Sequence, residues 1–152
     1  MILDGHTTSS FKDPLNYVLS PEKQPEIIGG RCIGDTAAEI AERFSEVADF
    51  GRSQKPCKHF YLAFAPEDGE LSVIDKAEIA DEIVYRLGYT NNQYVTVNHG
   101  RHDPSHPKSH DHDHLHIIIN AVDQDSTLKV NDSFEIRRGI EICRSLEKEW
   151  GL

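Results

Sequence analysis

The sequence predicts an α/β (α+β) sandwich, with a largely antiparallel central sheet, flanked by helices, and a histidine-bearing central strand. Three observations lead there. Strand-like and helix-like segments alternate along the 152 residues. The two segments that carry histidines, 94–99 and 113–122, are separated by too short a stretch for an ordinary helical crossover, so they pair antiparallel. In the second of them both faces are occupied, with Leu115, Ile117 and Ile119 on one side and His114, His116 and Ile118 on the other. That pattern suits a strand in the middle of a sheet.

The elements follow in order. Asp13-Pro14 reads as an N-cap followed by proline at the first helical position, opening a short helix that stops near Ser20-Pro21. Ile27-Ile28, Gly29-Gly30 and Cys32-Ile33 suggest an irregular strand or turn. Thr36-x-x-Glu39 is a capping box ahead of the stripe Ile40, Phe44, Val47 and Ala48. Residues 57–65 form an aromatic-rich strand. Ser72-x-x-Asp75 opens a helix with stripe Ala80, Ile83, Val84 and Leu87, closed by Gly88. Ser133 starts a last helix with stripe Ile136, Ile140, Cys143, Leu146 and Trp150, ending at Gly151. The N-terminal strand reads as short and polar, Asp4-Gly5-His6. The length suits one domain, residues 1–152, with a real core.

Composition narrows the class. No apolar run approaches a membrane span and the N-terminus does not resemble a signal peptide. Cys32, Cys57 and Cys143 are odd in number, with no metal-type spacing, and read as reduced thiols of a cytoplasmic protein without membrane contact. A net charge of −10 argues against a large non-specific nucleic-acid surface, though not against a small site.

Histidines carry the chemistry. Alternate strand residues share a face, so His114 and His116 project together, and His99 joins them from the preceding strand. Neighbouring strands lie ~4.8 Å apart and alternate residues ~6.6 Å apart, which lets the three rings converge on one divalent ion. Three imidazoles leave coordination positions open, as a catalytic ion requires. The segment between the strands leaves His102 as an alternative third ligand, and parity with Val95 and Val97 favours His99. Asp103, Asp111, Asp113 and His112 stand close enough in sequence to orient or extend the site, and Asn120 shares the histidine face. His59 reads as structural and His6 as an ordinary exposed residue. Tyr17 falls on the side of its helix away from Leu15 and Leu19, leaving its hydroxyl outside the local core. Phe11 and Tyr94 read first as core residues.

Several segments resemble, in order, the motifs of a relaxase/mobilisation nuclease domain of the His-hydrophobe-His endonuclease superfamily, of the class with one principal catalytic tyrosine. They are Phe11 to Leu19, Ile27 to Gly30, His59 to Glu67, Gly88 to Val97, Asp111 to Asn120 and Arg144 to Leu152. The resemblance implies that Tyr17 is the nucleophile and that His99, His114 and His116 hold a divalent ion. Mg or Mn is expected in function, Zn or Ni as purified. It implies a site- and strand-specific single-stranded DNA endonuclease and strand transferase of plasmid mobilisation, forming a 5′-phosphotyrosine. The partner would be single-stranded DNA at an origin of transfer, with accessory mobilisation proteins. Typical members continue into C-terminal regions beyond the end of this sequence. Lys12, Lys23, Arg31, Arg101 and Lys108 are the candidate phosphate contacts, a thin set for DNA binding. A related replication-initiator or transposase nuclease would share this chemistry. A non-enzymatic histidine-rich metal-binding module would instead hold several ions without needing Tyr17.

Overall fold

The computed structural model describes residues 1–100 and 113–152. Five strands, β1 (Ile2–Thr8), β2 (Glu26–Arg31), β3 (Cys57–Ala63), β4 (Tyr94–Gly100) and β5 (His114–Asn120), form one sheet in the order β1-β3-β5-β4-β2. Every pairing is antiparallel. Four helices, α1 (Lys12–Val18), α2 (Ala37–Ala48), α3 (Val73–Arg86) and α4 (Glu135–Trp150), complete the α+β fold.

The alternation of β5 divides two cores. Leu115, Ile117 and Ile119 pack with Phe60, Leu62, Ile79, Ile83, Cys143 and Leu146 under α3 and α4. On the opposite face Ile118 packs with Val95 and Val97, beneath Leu15 and Val18 of α1 and Ile40 and Phe44 of α2. Burying both faces of β5 is what makes it central, because each side supplies its own apolar contact area.

Local boundaries differ from the sequence reading where tertiary contacts intervene. The helix α1 begins before Asp13, with Phe11 at its N-cap and no capping side chain there; the Asp13 amide instead donates to the Ser10 hydroxyl at 3.2 Å. The first strand spans seven residues rather than a short polar stub, because β3 offers it a full ladder from Ile2↔Ala63 to Thr8↔Cys57. Helix α4 begins at Glu135, after Phe134 at φ +54°, and not at Ser133. Its buried stripe runs through Glu135, Gly139, Cys143 and Leu146, while Ile140 is exposed. Gly139 is selected by proximity: a Cβ there would stand 2.3 Å from Leu3 Cδ2. Thr36 and Ser72 cap α2 and α3 by accepting from the Glu39 and Asp75 amides; the box closes reciprocally at α3, while at α2 the Glu39 carboxylate accepts from the Asp35 amide instead of that of Thr36.

Two features hold the sheet at the end that concerns function. Strand β4 carries a bulge between Asn98 and Gly100, with Gly100 at φ +64°, so His99 falls outside the regular ladder. A bulge re-aims a side chain at the cost of one ladder position. Asp113, directly before β5, is buried with Lys76 of α3 in a 2.6 Å ion pair, and Asn98 Oδ1 accepts from the same ammonium at 3.4 Å. The starts of β5 and α3 are thereby tied together at the strand ends.

Candidate metal and nuclease site

His99, His114 and His116 converge: one nitrogen from each lies within 4.8 Å of the others. The sheet creates this. His116 pairs across the ladder with Val97 and Tyr61, and His114 with Gly100 and Ala63. The bulge returns His99 toward them on the face already occupied by Val95, Val97 and Ile118. The apolar residues fill that face beneath α1 and α2, and the histidines continue the same rows to its end.

Hydrogen bonds assign the ring nitrogens. His99 Nε2–H donates to the Val18 carbonyl at 2.7 Å, which places the lone pair on Nδ1, and that atom faces His114 Nε2 at 3.2 Å. His116 Nδ1 meets His59 Nε2 at 2.8 Å, leaving Nε2 of His116 to serve as its metal donor. His114 and His116 are buried and His99 is half-buried. Burial, followed by repulsion from His99, His59, His114 and Lys23, pushes the His116 imidazole down to about 2. Burial, then His6 and His99, pushes His59 down to about 4. Both rings are therefore neutral near pH 7, the state in which imidazole binds a metal. Two buried imidazoles, a third beside them and a further ring fixing the tautomer of His116 fit a divalent cation.

Tyr17 stands beside this cluster. Its ring meets His116 edge-on, with centroids 6.1 Å apart, and it is half exposed. Lys23 Nζ lies 3.5 Å from the Tyr17 ring centroid. Tyr17 is the penultimate residue of α1, and the next residue, Val18, carries the carbonyl bonded to His99. The same hydrogen bond thus anchors the end of α1 to one of the three histidines. A cleft of about 730 Å³ opens between α1 and the β1–β3 edge, lined by Tyr17, Tyr61, His59, His116, Asp4 and Asp13 among others.

The remaining candidates divide. Lys23 is at the site. Lys12, at the start of α1, lines a separate groove against α2. Arg31 is paired with Tyr94, at the opposite end of β4 from His99, and donates to the Thr90 and Asn92 carbonyls. Asp113 is engaged by Lys76 and does not orient an imidazole: that work falls to His59 and the Val18 carbonyl. Asn120 shares the histidine face but lies at its far end, fully buried. It donates to Phe44 O and Gln93 Oε1 and accepts from the Val122 amide, fixing the turn after β5. Phe11 and Tyr94 are core residues: Phe11 packs edge-on against Phe44, and the Tyr94 hydroxyl donates to Asp81. Arg101, His102, Asp103, Lys108, Asp111 and His112 lie outside the described residues.

Sequence reasoning missed the contact of His59 with His116. Those residues are two positions out of register across β3 and β5, a relationship that appears only once the ladder is set. The available signal was a histidine in an aromatic strand with parity to Tyr61. His6 is exposed as expected, yet its ring lies 5.0 Å from that of His59.

A five-stranded antiparallel sheet with a three-histidine cluster of His-hydrophobe-His pattern, and a phenol at its edge, defines a class of metal-site α+β nuclease. The chain matches the family model described as "Relaxase: MobA/VirD2-like, nuclease domain" over residues 17–152, and it belongs to that family. No curated protein matches it. Membership makes it a nuclease domain of the plasmid-mobilisation class, acting on single-stranded DNA at an origin of transfer, and the cluster points to a divalent metal. Among the described residues no helix is long and apolar enough to cross a membrane.

Proposed function

We propose that the protein is a metal-dependent, site- and strand-specific single-stranded DNA endonuclease and strand transferase that uses Tyr17 as nucleophile. The observation that carries this reading is the placement of the Tyr17 ring, half exposed, 6.1 Å from that of His116. The Tyr17 oxygen attacks the scissile phosphorus. The Tyr17–phosphate bond forms, the bond from phosphorus to the 3′ oxygen breaks, and the phenolic proton is lost as the 3′ oxygen gains one. The products are a 5′-phosphotyrosine and a free 3′-hydroxyl, and the reverse step reseals the strand.

His99, His114 and His116 would hold the divalent ion, Mg or Mn in function, and Zn or Ni on isolation given the preference of imidazole for those ions. When bound, such an ion supplies Lewis-acid polarisation of a phosphate oxygen. The chain's own residues do the rest. His59 holds His116 in one tautomer, the Val18 carbonyl holds His99, and Lys23 places positive charge beside the phenol, where an incoming phosphate must pass. Asp103, Asp111 and His112 are candidate supports of the site, and Arg101 and Lys108 candidate backbone contacts, with Lys12 and Arg31 contributing farther out.

The test is adduct formation. Single-stranded oligonucleotides bearing origin-of-transfer sequences, incubated with the protein and Mn(II), should give a covalent species whose peptide map places the nucleotide on Tyr17. Tyr17→Phe should remove the adduct while leaving oligonucleotide affinity within about 3-fold, since the hydroxyl contributes to the chemical step rather than to ground-state binding. An adduct that survives in Tyr17→Phe ends the reading.

A further inference from the structure

The site contains a second phenol that the proposed mechanism leaves unused. Tyr61 lies on β3, paired directly with His116 of β5 on one side and with Asp4 of β1 on the other. Its ring centroid is 5.0 Å from that of His114 and 5.5 Å from that of His116, and it lines the same cleft as Tyr17. The core tyrosines have committed hydroxyls: Tyr89 donates to Glu135 and Tyr94 to Asp81. Among the described residues the hydroxyl of Tyr61 has no such partner, although its ring is half-buried against two imidazoles.

Position distinguishes the two phenols at the cleft. Tyr17 is near the end of a seven-residue helix and is half exposed. Tyr61 is fixed in a strand that is paired on both edges, so its backbone cannot advance toward an attacked phosphorus. Asp4 and Asp13 line the same cleft and repel a phosphate. Tyr17 and Tyr61 both place their rings against His116 in that lining, and this is where the attacked phosphate is taken to sit. A phenol is protonated at neutral pH and offers one O–H donor. As the phosphoryl group passes through its transition state, negative charge spreads over its non-bridging oxygens, and a fixed donor there stabilises that charge without rearranging.

We propose that Tyr61 is a further catalytic residue, donating a hydrogen bond from its hydroxyl to a non-bridging oxygen of the phosphate attacked by Tyr17. The proposal rests on the nicking reading above. No proton is transferred through Tyr61 and no bond to it forms or breaks.

The test is the single-turnover rate of adduct formation at saturating oligonucleotide with Mn(II), for the unmodified protein, Tyr61→Phe and Tyr17→Phe. Removing one such donor slows comparable reactions by roughly 10²–10³-fold. Tyr61→Phe should therefore lose rate on that order, keep its adduct on Tyr17, and retain Mn(II) and oligonucleotide affinities within about 2-fold. A second arm uses the two phosphorothioate diastereomers at the scissile position. One of them should slow the unmodified protein through loss of the Tyr61 hydrogen bond, and that slowing should vanish in Tyr61→Phe.

A Tyr61→Phe rate within about 3-fold of the unmodified protein overturns the proposal. So does a parallel fall in Mn(II) affinity, which would mean that Tyr61 only packs the imidazoles. A thio effect of equal size with and without the Tyr61 hydroxyl overturns it, as does an adduct on Tyr61 in Tyr17→Phe. The thio arm on the unmodified protein needs no variant to fold: a pair of diastereomers reacting at equal rates also overturns it. Complete absence of an adduct in the unmodified protein strikes instead at the nicking reading on which this one stands.

Discussion

His59 does its work through one contact. Its Nε2 meets Nδ1 of His116 at 2.8 Å, and the ring that His116 turns toward His99 and His114 depends on it. Partners of this kind typically contribute 10–100-fold in metal affinity. His59→Ala should weaken Mn(II) or Zn(II) binding by about that factor, read by competition against a chromophoric chelator. His59→Gln, whose amide oxygen can still accept from Nδ1–H, should recover part of the loss. Equal affinity in all three proteins would show that His59 is only packing. The three clustered histidines were legible from parity together with the antiparallel pairing of their strands, though the bulge between Asn98 and Gly100 on which His99 sits was not. His59 was not, since its meeting with His116 depends on the register between two strands whose nearest paired residues, Ala63 and His114, are 51 positions apart, a relation that no local pattern encodes. Asn120 illustrates the opposite limit. Parity put it on the histidine face, but parity says nothing of distance, and four residues along a strand is about 13 Å.

Elements were legible where their signals are local. The N-caps of α2 and α3 formed as read because both partners lie within one turn, although Glu39 returns its carboxylate to the Asp35 amide rather than closing the box on Thr36. The stripe of α4 held at Ile136, Cys143, Leu146 and Trp150 but not at Ile140, because burial there is decided by Leu3 of β1, which presses on Gly139 and leaves Ile140 outward. Strand β2 is another element governed by a close approach. Gly30 sits at φ +129°, and a Cβ there would lie 2.3 Å from the Tyr94 carbonyl oxygen, a backbone atom that cannot rotate away. Gly30→Ala should cost about 1–3 kcal/mol or more from backbone strain, measured by urea unfolding. It should also loosen the β2–β4 edge, visible as faster amide exchange at Val95. Stability within about 0.5 kcal/mol of the unmodified protein would contradict this account.

At the scale of the molecule, two cores and a buried ion pair set the response to acid and to mutation. Lys76 and Asp113 are both nearly inaccessible and 2.6 Å apart. Lys76→Met leaves a buried carboxylate without its cation and should cost about 3–5 kcal/mol, whereas the double change Lys76→Met/Asp113→Leu should recover much of it. The buried imidazoles add a pH term. An unfolded histidine titrates near 6.5, while the fold holds His59 down to about 4 and His116 down to about 2, chiefly through burial. Between those values the unfolded chain binds protons that the folded chain refuses, so stability falls as pH falls. This contribution is whole above pH 6.5 and is lost progressively below it. The metal-free protein should show a urea midpoint that declines between pH 7 and pH 5, with a shallower decline in His59→Gln; a flat profile would refute the assignment. The sheet order has a last consequence, for synthesis. Strand β5 lies between β3 and β4, both of which leave the ribosome before it. A nascent chain that has not yet reached residue 120 therefore lacks the middle of its sheet and two of its three clustered histidines. Under the proposed mechanism it is inert toward the DNA of the cell that is making it, and competence arrives only when the last strand slides into place.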